Sequence, residues 1–124
     1  MSIPTILEED CKAISDNLLL ALDELTDVQV IAVAETPTAA IAATLQYAGQ
    51  WELMILDLFL KDGTGLNVLE ACRNRLPHQH IVVLTSMATP QMRRQCLKLG
   101  ADAVYDKSKE LEQFFERCNL YHAT

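Results

Sequence analysis

Strand-forming runs alternate with runs of helical spacing five times along the 124 residues. With short connections between the runs, that alternation predicts an α/β domain: a doubly wound, five-stranded parallel sheet with helices on both faces, (βα)5. A second observation agrees. Leu53–Leu58 and Ile81–Leu84 are almost wholly apolar with no polar alternation, as strands buried on both faces must be. The third is punctuation: Thr36-Pro37 and Thr89-Pro90 each set a capping hydroxyl before a proline whose missing N–H costs nothing in a first helical turn.

Ile3–Leu7 reads as a short first strand, and Ile14, Leu18, Ala21, Leu22 and Leu25 then recur at helical spacing. Val28–Val33, rich in β-branched residues, is the second strand. The helix opened by Thr36 runs through Ile41 and Leu45 and stops near Gly49. After the third strand, Leu53–Leu58, residues Leu66, Leu69, Glu70 and Arg73 belong to a helix that ends before Pro77. Ile81–Leu84 is the fourth strand, and Gly100 suits a left-handed C-cap for the helix begun at Thr89. Ala103–Tyr105 is the fifth strand. Ser108 is expected to cap the last helix, with Leu111, Phe114, Phe115 and Cys118 inward. No linker, repeat or low-complexity tract interrupts this pattern, so residues 1–124 are expected to form one domain.

Half of the residues are hydrophobic, which excludes extended disorder. A chain of this size hides about two-thirds of its unfolded surface and needs no disulfide or structural metal to fold. Cys11, Cys72, Cys96 and Cys118 stand far apart and never as C-x-x-C, unlike a zinc site or a disulfide scaffold. They read as small hydrophobes in a reducing compartment. No leader pattern and no apolar run of spanning length is present, so a cytoplasmic location without membrane contact is expected. Ten basic against 17 acidic residues give a net charge of −7, which argues against direct binding to nucleic acid. The basic knot Arg93, Arg94 and Lys98 is expected to be a solvated helix face.

In an open parallel sheet, ligands bind outside the carboxyl ends of the strands. The first strand ends in Glu8, Glu9 and Asp10, the third delivers Asp57 from the apolar run L-D-L-F-L, the fourth ends at Thr85-Ser86, and the fifth at Asp106-Lys107. A carboxylate in an apolar run costs several kcal/mol unless it is paired or bound to a cation. Crowded carboxylates repel unless a cation neutralises them. Oxygen ligands in small number suit Mg²⁺, and a lysine opposite them supplies a point charge for a phosphoryl group.

At these residues the sequence resembles the receiver domains of two-component response regulators, whose fold is the flavodoxin-like, CheY-like α/β fold. The acidic pair closing the first strand, L-D-L-F-L-K-D-G-T-G around Asp57, L-T-S after the fourth strand and G-A-D-A-V-Y-D-K-S around Lys107 carry the likeness, in order, along essentially the whole chain. The resemblance implies that Asp57 accepts a phosphoryl group from a histidine kinase or phosphotransfer protein. It implies that Glu9, Asp10, Asp57 and the backbone carbonyl of Phe59 hold Mg²⁺, and that Thr85 and Lys107 meet the phosphoryl group. The register Glu9-Asp10 is preferred to Glu8-Glu9 because it turns Ile14 and Leu18 inward. Such a domain is a phosphoacceptor in signalling, not an enzyme acting on a separate substrate, and it switches its surface near the fourth and fifth strands toward a downstream protein. No output domain is expected in this chain, and whether two copies pair is left open.

Four positions depart from the family's pattern. Glu8 stands where an apolar strand residue is usual, so the end of the first strand is expected to be irregular. Lys61 and Ser108 replace prolines, and Val104 replaces the aromatic three residues before the lysine, with Tyr105 after it. Other readings carry less. A receiver-like module governed by binding alone would not need Thr85 and Lys107. A phosphatase using Asp57 needs an acid two residues later, where Phe59 stands. A flavin carrier needs a phosphate loop where Glu8-Glu9-Asp10 would repel phosphate. The pair His78 and His80 has metal-ligand spacing but sits in a loop and reads as incidental.

Overall fold

The fold is described from a computed structural model covering residues 2–60 and 63–121. Its elements run β1 (Ile3–Glu8), α1 (Lys12–Leu25), β2 (Val28–Ala34), α2 (Pro37–Gln46), β3 (Leu53–Leu56), β4 (Phe59–Leu60), β5 (Gly63–Thr64), α3 (Gly65–Ala71), β6 (His80–Thr85), α4 (Pro90–Lys98), β7 (Ala103–Asp106) and α5 (Leu111–Leu120). Five strands form one sheet in the order β2-β1-β3-β6-β7, every neighbouring pair parallel. The chain steps outward from β1 to β2, then returns past β1 to β3. That reversal opens a crevice at the carboxyl ends of β1 and β3.

Successive strand residues face opposite sides of the sheet, and each side has its own core. Ile6, Met54, Leu56 and Val83 pack with Ala40, Val68, Leu69 and Cys96 from α2, α3 and α4. Leu7, Ile55, Val82 and Leu84 pack with Leu18, Leu22, Phe114 and Cys118 from α1 and α5. Both Thr-Pro devices are present: Thr36 Oγ1 accepts from the Ala39 N–H and Thr89 Oγ1 from the Met92 N–H, each at 3.1 Å. Gly100 is left-handed at φ 107°. Three cysteines are buried and Cys11 is exposed. Among the described residues no helix is long and apolar enough to cross a membrane.

Several expectations are corrected. Ser108 does not cap α5; its N–H and that of Lys109 are both taken by Asp106 Oδ1, at 2.7 and 3.1 Å. The helix starts after Glu110, which makes no side-chain cap bond. Ile14 is 43% exposed, and α1 instead buries Ser15, Leu18 and Leu22. Ser15 fits because its hydroxyl donates back to the Lys12 carbonyl. Arg73 lies beyond the end of α3. The irregularity of β1 falls between Thr5 and Ile6, where β2 carries one extra residue, while Glu8 stays in register with Ala34 and Leu56. The position of Lys61 lies outside the described residues.

An antiparallel ribbon, Phe59–Leu60 with Gly63–Thr64, follows Asp57 and was not legible in the sequence. It feeds α3 at Gly65, whose N–H donates to the Leu58 carbonyl at 2.7 Å. A Cβ on Gly65 would stand 2.4 Å from the Asp57 carbonyl oxygen and 3.1 Å from Leu58 Cα. Both neighbours are backbone, so neither can swing aside. Gly65→Ala is therefore expected to cost about 1–3 kcal/mol by overpacking, seen as a lower urea midpoint, and to shift the amide resonances around Asp57. An unchanged midpoint would mean that α3 is not pressed against that turn.

Candidate functional site

The side chains singled out at the strand ends meet on one rim of the sheet. β1 ends at Glu8, and the turn beyond it is fixed by backbone bonds: Glu9 N–H to the Ala34 carbonyl at 3.0 Å and Asp57 N–H to the Glu8 carbonyl at 3.2 Å. This sets Glu9 and Asp10 beside Asp57, which follows the last residue of β3. One carboxylate oxygen from each of the three lies within 4.8 Å of the others. Lys107 comes from past the end of β7, where its N–H donates to the Thr85 carbonyl at 3.0 Å. Its ammonium donates to Glu9 Oε1 at 2.5 Å and to Asp57 Oδ2 at 2.8 Å.

Asp57 and Glu9 are both buried. Burial raises the pKa of Glu9 and the charge on Asp57 adds to this, although the hydrogen bond and charge of Lys107 act against them. For Lys107, burial works to lower the pKa, but the hydrogen bonds and charges of Asp57 and Glu9 together leave it raised. The ammonium thus stays charged and offsets part of the acidic cluster. An all-oxygen set of three carboxylates fits a hard divalent cation such as Mg²⁺.

Thr85, wholly buried at the end of β6, accepts the Met87 N–H on its Oγ1 at 3.2 Å. Its hydroxyl is thereby tied to the loop leading into α4. Phe59 opens β4, two residues past Asp57. The histidines are engaged elsewhere: His78 Nε2 lies 3.3 Å from the Gly49 carbonyl, and His80 stacks on Tyr121. Arg93 is not a solvated charge, since its guanidinium reaches the Ala88 and Val104 carbonyls and the Glu110 carboxylate.

Glu8 lies beneath the acidic cluster and not in it. It is 1% exposed, and neither carboxyl oxygen has a hydrogen-bond partner among the described residues. Burial, with the charge of Asp57 adding to it, pushes its pKa up to about 9. The period of two in a strand was the available signal, because Glu8 shares the inward parity of Ile6. Glu8 is therefore a neutral acid beneath the charged cluster.

The sequence matches the response regulator receiver domain family over residues 6–119. The chain belongs to that family, and it is a receiver domain of the two-component response regulator kind. Among curated proteins it is 39% identical over 69 residues to the photosynthetic apparatus regulatory protein RegA of Rhodobacter capsulatus, a match covering 56% of this chain and 36% of that protein. Its fold is shared with a LuxR-family DNA-binding response regulator from Staphylococcus aureus (TM-score 0.84, 20% identity, 96% of this chain and 98% of that one). It is shared also with a Burkholderia pseudomallei response regulator solved with a phosphorylated aspartic acid, calcium ion and citrate (TM-score 0.77, 24% identity, 94% and 66%).

Burial of Glu8 has a pH signature. Between its ordinary 4.5 and its folded value near 9, the native state holds a proton that the unfolded chain releases. The stability tied to that proton is fully present below about pH 4.5 and is lost as pH rises toward 9, with a slope of at most about 1.4 kcal/mol per pH unit. Glu8→Leu is expected to be the more stable protein at pH 8 and to show a flatter urea midpoint between pH 5 and 8. Parallel profiles for the two proteins would show that Glu8 is not held neutral.

Proposed function

We propose that Asp57 accepts a phosphoryl group from phosphohistidine on a histidine kinase or phosphotransfer protein, and that the domain then presents an altered surface to a downstream protein. The observation that carries this reading is the ammonium of Lys107 bridging Asp57 and Glu9, with Asp10 beside them. A carboxylate alone is a poor nucleophile toward a charged phosphoryl group, because like charges repel. Here the repulsion is offset at the point of attack. Phosphoryl transfer asks the protein for alignment and charge neutralisation more than for covalent help.

In the transfer, an Asp57 oxygen forms the new bond to phosphorus as the phosphorus–nitrogen bond of phosphohistidine breaks, and the departing imidazole keeps the electron pair and is reprotonated. Glu9, Asp10, Asp57 and the Phe59 carbonyl would hold Mg²⁺, which when bound neutralises charge on the phosphoryl oxygens. Lys107 would meet a phosphoryl oxygen with its ammonium, and Thr85 would turn its hydroxyl toward another. Because the Thr85 hydroxyl holds the Met87 N–H, its movement would carry loop 86–89 with it. The chemistry is done on the domain itself, so the activity is that of a signalling acceptor.

Incubation with Mg²⁺ and acetyl phosphate should add one phosphoryl mass increment to the protein. Asp57→Asn, which keeps the shape and removes the nucleophilic oxygen, should remove the increment while leaving the circular dichroism unchanged. Full incorporation in that variant would sink the assignment. For the metal, Mg²⁺ titration followed by amide resonances should show weak binding, as expected where few protein ligands and several waters share the ion. The double variant Glu9→Gln, Asp10→Asn should abolish those shifts, and their persistence would mean that other groups hold the ion.

A further inference from the structure

β7 is an edge strand, and an edge strand carries backbone groups with no strand partner. Lys107 turns its N–H to β6, so by alternation Val104 and Asp106 turn theirs outward. Neither group is bare. The Val104 carbonyl accepts from Arg93 Nη1 at 3.1 Å, and the Asp106 N–H donates to Glu110 Oε1 at 3.0 Å. Arg93 and Glu110 are themselves joined as an ion pair, and Arg93 Nε donates to the Ala88 carbonyl at 2.9 Å. An exposed ion pair is ordinarily worth little. This one is only about a third exposed on either side, at 33% and 29%, and its planar guanidinium serves three acceptors on three different segments.

Two of those segments, the loop at Ala88 and strand β7, lead back to the acidic site. Ala88 follows Met87, whose N–H is held by the Thr85 hydroxyl. Asp106 precedes Lys107, whose ammonium is held by Asp57. We propose that Arg93 and Glu110 form a latch that fastens loop 86–89 to the edge of β7, and that it opens when Asp57 carries a phosphoryl group. The pair then reports the state of the site to the surface made by α4, β7 and α5. This inference rests on the phosphoacceptor reading above. If Thr85 moves toward a phosphoryl group, Met87 and Ala88 move with it, and the Ala88 carbonyl leaves the guanidinium. The fork loses one of its three acceptors, and Glu110 loses the geometry that holds the Asp106 N–H.

Linkage makes the latch measurable, since removing a contact made in only one state raises the affinity of any ligand that favours the other. The full chain is titrated with beryllofluoride and Mg²⁺, followed by amide resonances, for the parent protein, Arg93→Gln, Glu110→Gln, the double variant and Arg93→Lys. In the parent, saturation at Asp57 should shift the amides of Ala88 and Asp106. Arg93→Gln and Glu110→Gln should each bind beryllofluoride roughly five-fold more tightly or better. The double variant should bind no more tightly than either single one, because one unit is broken only once. Arg93→Lys should behave as Arg93→Gln, since one ammonium cannot serve the three segments, and with Glu110→Gln it carries the test should Arg93→Gln not fold. Unchanged or weaker affinity in the variants, additive gains in the double variant, or amides of Ala88 and Asp106 that stay still at saturation would overturn the latch alone. No binding at Asp57 in the parent would overturn the phosphoacceptor reading and the latch together.

Discussion

The hydrogen bonds from the Lys107 ammonium to Glu9 and Asp57 hold together a rim that would otherwise push itself apart. Three carboxylates converge there, two of them buried, and a buried carboxylate without a compensating charge costs several kcal/mol. Lys107 reaches them only because β7 lies beside β6 and its backbone is pinned to Thr85. Asp57 faces them only because β3 lies beside β1 and the carbonyl of Glu8 holds its N–H. The strand order of the sheet is therefore also the wiring of the site. Gly65 belongs to the same constraint, since α3 can start where it does only if nothing larger than hydrogen faces the Asp57 carbonyl.

The sheet was legible because burial on both faces leaves a plain record in Leu53–Leu56 and Ile81–Leu84, all of them buried. The helices were legible where the signal was local, as at Thr36-Pro37 and Thr89-Pro90. The expectation for Ser108 failed because a nearer acceptor won: Asp106 takes its N–H within a turn, and α5 begins three residues later. Ile14 failed for a different reason. Its helical spacing is right, but α1 rolls so that Ser15 faces the sheet, and no local pattern records that rotation. The ribbon after Asp57 is two residues per strand, too short to show any periodicity.

In the site, the sequence marked which acids and which lysine stand at the strand ends, because the carboxyl rim of a parallel sheet is a topological consequence and not a matter of detail. It did not show that Lys107 touches both Glu9 and Asp57, since those contacts span 98 and 50 residues. Glu8 was expected to make the end of the first strand irregular, yet it keeps its register and is buried, as strand parity places it beneath the cluster. Arg93 was read from its basic neighbours Arg94 and Lys98, which are exposed. Its partners come from three other segments, and nothing in its own helix announces them.

The β7 position explains why a polar device fits this chain. Val104 and Tyr105 are neighbours on one strand and face opposite cores: Val104 joins the α2–α3–α4 side and Tyr105 the α1–α5 side. Val104 is small, β-branched and stiff at χ1, so it cannot sweep out the volume that an aromatic would. Tyr105 is committed elsewhere, edge-on to Phe114 with its hydroxyl accepting from Arg117 Nε at 3.1 Å. A one-residue slip that exchanged the two would turn every side chain of the strand to its other face. The two side chains are thus committed to opposite cores. On the strand's outward edge, by contrast, the guanidinium of Arg93 joins the Ala88 carbonyl to the Val104 carbonyl.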